Sequence, residues 1–172
     1  MLHIKEGSPP ASFINYTKTR AEDPKYRPTF DDMPKKIKDD LRSSLLKEQG
    51  FLCAYCMKPL ADSGADVKIE HYEPRNADNE LEYGNLLAVC YGGEGKSYES
   101  QTCDTHKGGA RLSINPQKFQ HVLMLSYRND GKICISDEVM QNDLDNILNL
   151  NVESILKSRR KLNLPSKDQI TP

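Results

Sequence analysis

A chain of 172 residues, 37% hydrophobic and 28% charged, is long enough for one domain with a modest core. Its net charge of −1 excludes a global field that draws the protein onto nucleic acid, so attraction to phosphate must come from a local patch or a partner. The opening MLHIKEGSPP has no signal-peptide run and nothing approaches the roughly 20 apolar residues of a membrane span, so a cytoplasmic protein is expected.

Residues 1–34 carry Pro9, Pro10, Pro24, Pro28 and Pro34 among polar groups, which predicts an extended N-terminal arm with little regular structure. DDMPKKIKDDLRSSLLKEQG then predicts a helix. Asp31 or Asp32 suits its cap, Pro34 its first turn, and Gly50 its stop. Ile37, Leu41 and Leu45 recur four apart and form its apolar stripe. FLCAYCMKPL follows as a knuckle turn, and DVKIEHYEP as a short strand. NELEYGNLLAVC contains a loop and a second apolar run. YGGEGKSYESQT is a glycine-rich loop, and CDTHKGGARL opens a helix or helical turn. HVLMLSYRNDGKICISDE predicts a hairpin with NDG at the turn, Cys134 packing inside it. From residue 141 the pattern is helical, through Leu144, Ile147, Leu148, Val152, Ile155 and Leu156, and KSRRKLNLP ends it. The fold class is therefore α+β. Residues 35–117 form the expected core, and 118–172 a hairpin and helical extension packed with it as one domain.

Cytosolic thiols stay reduced, so five cysteines point to metal before disulfides. Cys53 and Cys56 make a C-x-x-C pair, and Cys90 and Cys103 lie further on. A tight turn lets two thiolates reach one zinc ion, and two more close a tetrahedral site. The competing reading leaves Cys90 and Cys103 as ordinary buried residues. A structural zinc would tie the knuckle to the segment that carries Asp104, His106 and Lys107.

Glu70 and His71 stand together at the end of the strand. An imidazole takes a proton from water near neutral pH, and a carboxylate holds a hard divalent cation such as Mg²⁺. Adjacent strand residues face opposite sides, so both serve one site only where the strand ends or bends, and Pro74 fits that. Asp104 and His106 are candidates for the second metal ligand. Lys107 is a candidate phosphate contact, and Asn85 a tie that orients His71. Each also has a plainer reading as a turn, helix-end or solvated residue. The basic run Lys157, Arg159, Arg160 and Lys161 reads as a solvated helix end, with phosphate tracking as the alternative.

C-x-x-C, IEHYEP, YGNLLAVC and CDTHKG, in that order, resemble an HNH endonuclease with a zinc-stabilised ββα-metal core. IKEGSPPASFINY, LLKEQGFLCAYCMKPL, NLLAVCYGGEG, LSINP and ILNLNVESILKSRRK extend the resemblance to the retron- and Septu-associated HNH proteins called PtuB. The resemblance implies a β-hairpin and a helix around one divalent metal. It puts the general base on His71, an acidic metal ligand on Glu70 and the central asparagine on Asn85. The third motif position falls on Asp104, with His106 as the alternative. It further implies anti-phage defence beside a PtuA-like ATPase and, in retron versions, a reverse transcriptase and its multicopy single-stranded DNA. Glu70 stands where many HNH proteins have Asp or His, and the second cysteine pair is wider than usual.

On this reading the reaction is metal-assisted hydrolysis of a phosphodiester that leaves a 5′ phosphate. A second reading is a non-catalytic zinc module that docks on the ATPase partner. A DNA-binding regulator is a third, disfavoured by near-neutral charge and the lack of a helix-turn-helix pattern.

Overall fold

Residues 11–22 form a helix, α1 (Ala11–Glu22), inside the segment expected to be an extended arm. The computed structural model describes residues 1–22, 27–61 and 66–161. Pro24, Pro165 and the side chain of Lys161, all used in the sequence reading, lie outside the described residues. The prolines start α1 rather than forbid it. The Pro10 carbonyl accepts from Phe13 N at 2.9 Å and Ile14 N at 3.0 Å, and proline's fixed φ suits a helix start. Phe13 and Tyr16, three apart, are both buried, and Tyr16 hydroxyl donates to Thr29 O at 2.8 Å.

The second helix, α2 (Lys35–Glu48), buries Leu41, Leu45 and Leu46. Pro34 is its N-cap residue, and neither aspartate caps it. Asp31 instead pairs with Arg75 at 2.7 Å, and Asp32 accepts from the Thr29 hydroxyl at 2.7 Å. At the far end Phe51 N donates to Leu46 O at 2.8 Å and Gly50 N to Lys47 O at 3.3 Å. That closure needs a left-handed residue, and Gly50 supplies it at φ +62°. The chain turns at once into the knuckle, where Leu52 bridges Pro59 and Cys53 N donates to Lys58 O at 2.9 Å.

Strand β1 (Val67–His71) pairs antiparallel with β2 (Leu86–Cys90), Val67 opposite Cys90 and His71 opposite Leu86. Every residue of β2 is buried. Gln49 at the end of α2 grips its middle: Ala88 N donates to Gln49 Oε1 at 2.8 Å, and Gln49 Nε2 donates to Ala88 O at 2.7 Å. Residues 91–102 form a loop closed at its neck, where Thr102 N donates to Gly92 O at 2.8 Å. A Cβ on Gly92 would fall 2.0 Å from Thr102 O, so only glycine fits. The short helix α3 (Cys103–Lys107) follows and packs on β2.

The C-terminal part differs from its sequence reading in two ways. The hairpin keeps the turn at Asn129-Asp130-Gly131, but its strands are only β3 (Ser126–Tyr127) and β4 (Ile133–Cys134). The residues before it coil into α4 (Phe119–Leu123), and Cys134 is half-buried. The helix expected from residue 141 is broken. Helix α5 (Glu138–Asn142) runs into one π turn (Asp143–Ile147), and α6 (Glu153–Lys161) starts anew. Asn149 at φ +49° marks the break. Buried Asp143 fixes the π turn by accepting from Ile114 N at 2.9 Å. Arg159 is not a solvated cation: it is buried, with Nη1 on Gly131 O and Leu150 O at 3.1 Å each. Among the described residues no helix is long and apolar enough to cross a membrane.

Candidate metal centre and active site

Cys53, Cys56, Cys90 and Cys103 converge, all buried, with their sulfurs within 4.8 Å of one another. Cys53–Cys103 is 3.9 Å, Cys56–Cys90 3.7 Å and Cys90–Cys103 3.8 Å. A zinc–sulfur bond of 2.3 Å gives a tetrahedron with edges of about 3.8 Å, so the cage fits that ion. A disulfide needs sulfurs about 2.0 Å apart, which these are not. Burial pushes the Cys53 thiol well up, while hydrogen bonds from Cys103 and Cys53 pull Cys90 and Cys56 down. Four buried sulfurs at these spacings could hold one metal ion. The four cysteines singled out in the sequence are the four the fold assembles.

Around that cage lies a second group of charges. Glu70 on β1 and Asp104 on α3 share a hydrogen bond. Lys107 Nζ lies 2.7 Å from Glu70 Oε1 and donates to the His71 carbonyl at 3.2 Å. Lys68 Nζ lies 3.0 Å from Asp104 Oδ2 and 3.6 Å from Glu94. Tyr55, fully buried in the knuckle, points its hydroxyl at Glu70 Oε1, 3.5 Å away. Burial, then the Asp104 carboxylate, push Glu70 up to about 8. Asp104 stays below the usual carboxylate range: burial works against its charge, but the hydrogen bond with Glu70 and the Lys68 ammonium outweigh it. A buried carboxylate, Glu70, beside a half-buried one, Asp104, forms an oxygen donor set suited to a hard divalent cation.

His71 is the last residue of β1, where the strand ends, and its ring meets different groups from those around the Glu70 carboxylate. Its Nε2 lies 3.0 Å from Glu80 O, and its ring meets Phe30 edge-on with centroids 4.7 Å apart. A carbonyl only accepts, so Nε2 carries the hydrogen and Nδ1 keeps its lone pair. Burial holds the imidazole below its ordinary value of 6.5, which keeps it neutral at pH 7. Asn85 ties the intervening loop: its Oδ1 accepts from Glu73 N at 2.7 Å, and Nδ2 donates to Glu73 O and Asn79 O at 3.3 Å each. The Asn79–Glu80 segment thus held is the one that meets the His71 ring.

The other two candidates stand elsewhere than expected. His106 turns from the carboxylates: Nδ1 bonds to Ile147 O at 2.9 Å, and its ring stacks on Tyr98. Lys107 is 5% exposed, so its ammonium serves Glu70 and the strand end instead of reaching out to a phosphate. Sequence reasoning missed Lys68 and Tyr55. Lys68 was accessible to it, because residues 68 and 70 of a strand share a face. Tyr55 had no local signal, since the knuckle and β1 meet only in the fold.

No family model matches the chain. Among curated proteins it is similar to one named "Retron Ec83 putative HNH endonuclease" from Escherichia coli, 34% identical over 164 aligned positions that take in 71% of this chain. The chain covers 64% of that relative's length.

Proposed function

We propose that the protein is a metal-dependent HNH endonuclease that hydrolyses phosphodiester bonds as the effector of an anti-phage defence system. The observation that carries this reading is the joining of Glu70 and Asp104 beside the strand end that bears His71. β1, β2 and α3 are then the ββα unit, and the four thiolates are its structural zinc clamp. The retron named in its relative, and the PtuB resemblance, favour a retron or Septu setting with a PtuA-like ATPase partner.

In this reading His71 Nδ1 takes a proton from the attacking water, while the Glu80 carbonyl holds Nε2–H and fixes the ring. General-base help of this kind contributes roughly 10²- to 10⁴-fold. Asn85 keeps the loop that presents Glu80 in place. Lys107 holds Glu70 and the backbone of His71 in one frame. Glu70 and Asp104 would hold the divalent cation, which supplies charge neutralisation at the phosphate.

The test is metal-dependent cleavage of DNA and RNA by the purified protein with its partner. His71→Ala is expected to lose at least a hundredfold in rate while zinc content and melting temperature stay parental. Cleavage by this variant at the parental rate refutes the assignment. The pairing of both carboxylates with buried or half-buried lysines favours a second reading, a zinc-bound adaptor without catalysis. The same assay separates the two, because an adaptor leaves nucleic acid intact with every divalent cation.

A further inference from the structure

Arg159 on α6 is only 4% exposed, and arginine is almost never buried so deeply without a charged partner. Its Nη1 donates to Gly131 O and Leu150 O at 3.1 Å each. Among the described residues Nε and Nη2 have no hydrogen-bond partner, and no carboxylate lies in ion-pair range of the guanidinium. A buried charge is retained where an opposite charge lies close. The carbonyls satisfy two of its N–H groups but do not neutralise it.

Two chains of contacts lead from Arg159 to the four-cysteine cage. The guanidinium carbon lies 5.4 Å over the Tyr127 ring, and the Tyr127 hydroxyl meets Met57 Sδ at 3.9 Å, next to Cys56. On the other side, Leu150, whose carbonyl Arg159 holds, is two residues from Leu148, whose carbonyl accepts from Cys103 N at 2.9 Å. The negative groups that act most strongly on Arg159 are correspondingly Tyr127, Cys56 and Cys103. Burial pushes the Tyr127 hydroxyl up to about 12, so it is uncharged at pH 7 and the two thiols remain. The Met1 amino group also meets the Tyr127 hydroxyl, but burial pushes it down to about 5, so it adds no charge at pH 7. Lys68 and Lys107 are engaged by Asp104 and Glu70. Four thiolates around one divalent ion leave a surplus of two negative charges, and one guanidinium offsets half of it.

We propose that Arg159 is the counter-charge of the four-cysteine metal centre, which it stabilises without ligating the ion, so that α6 belongs to that centre. This rests on reading the cage as a zinc clamp and is independent of the cleavage chemistry. The competing role is a brace, in which the guanidinium only ties Gly131 and Leu150 to α6. Both roles use the same two hydrogen bonds, but only a counter-charge depends on how much charge the cage carries.

The experiment uses the full chain and reads zinc affinity by competition with a chelating dye, in a double-mutant cycle. Cys56→His keeps four ligands and removes one negative charge from the cage. Arg159→Met is expected to weaken zinc binding about 10- to 100-fold in the parental cage, and less than about threefold in the Cys56→His cage. Arg159→Lys keeps the charge and is expected to retain most of the affinity that Arg159→Met loses. Equal losses in the two cages, or parental affinity in Arg159→Met, overturn the inference. A lysine variant as weak as the methionine variant overturns it too, even where the Cys56→His cage holds no zinc. If Arg159→Met alone does not fold, recovery of folding on adding Cys56→His supports the counter-charge, and persistent unfolding shows a brace. A parent that binds no zinc would end the clamp reading itself, whereas a parent that binds zinc with equal losses in both cages sinks this inference alone.

Discussion

Asn85 illustrates how one side chain constrains a site it does not line. Its amide satisfies Glu73 N–H and two carbonyls, and so fixes the loop whose Glu80 carbonyl orients the His71 ring. Asn85→Ala leaves a half-buried donor, Glu73 N–H, without its partner. We expect a loss of about 1–3 kcal/mol in unfolding free energy, measured by denaturant titration. Cleavage is expected to fall further than that loss explains, because His71 loses its fixed tautomer. Asn85→Asp keeps the acceptor for Glu73 N–H and should restore part of the stability. Recovery of full cleavage by Asn85→Ala in folded protein would show that the loop needs no tie. At this scale the sequence was most legible where spacing carries the chemistry. Cys53 and Cys56, on one turn, and Glu70 beside His71 are local facts. Lys107 was named but placed wrongly, because the sequence does not say that α3 turns its amine inward against β1. His106 likewise belongs with Ile147, forty-one residues on, and no local pattern reveals that contact.

Elements were legible in proportion to their periodicity. Helix α2 has a four-residue apolar stripe and a glycine stop, and both appear in the fold. Helix α1 was hidden by its prolines, although Pro10 followed by Phe13 and Tyr16 was a readable start signal. The hairpin was overdrawn because Val122, Leu123, Met124 and Leu125 suit a strand as well as a helical turn. The break between α5 and α6 was invisible because Asp143, which stabilises the π turn, bonds to Ser113 and Ile114 across the fold. The neck of the 91–102 loop offers the sharpest test at this scale. A methyl on Gly92 meets the Thr102 carbonyl at 2.0 Å, and that carbonyl is backbone. Gly92→Ala must therefore part the neck and displace Cys90 or Cys103. We expect zinc to be held 10- to 100-fold more weakly, read by competition with a chelating dye, in line with the cost of disturbing a metal's supporting shell. Parental zinc affinity in that variant would show that the neck does not set the thiolate geometry.

For the molecule as a whole, a net charge of −1 leaves little intrinsic grip on a polyanion. Under the proposed function something else must deliver the substrate, and the ATPase partner is the proposed source. The isolated chain is accordingly expected to cut poorly at physiological salt, and addition of the ATPase to raise the rate at least tenfold, followed by gel electrophoresis of labelled nucleic acid. Vigorous cutting by the isolated chain at that salt would remove the need for delivery. The closed neck at Gly92 and Thr102 has a wider consequence. Because the chain returns to its starting point there, the lobe beyond it can be lengthened, shortened or exchanged without altering the separation of Cys90 and Cys103. A change in the size or composition of this one appendage would thus leave the four-cysteine cage beneath it in place.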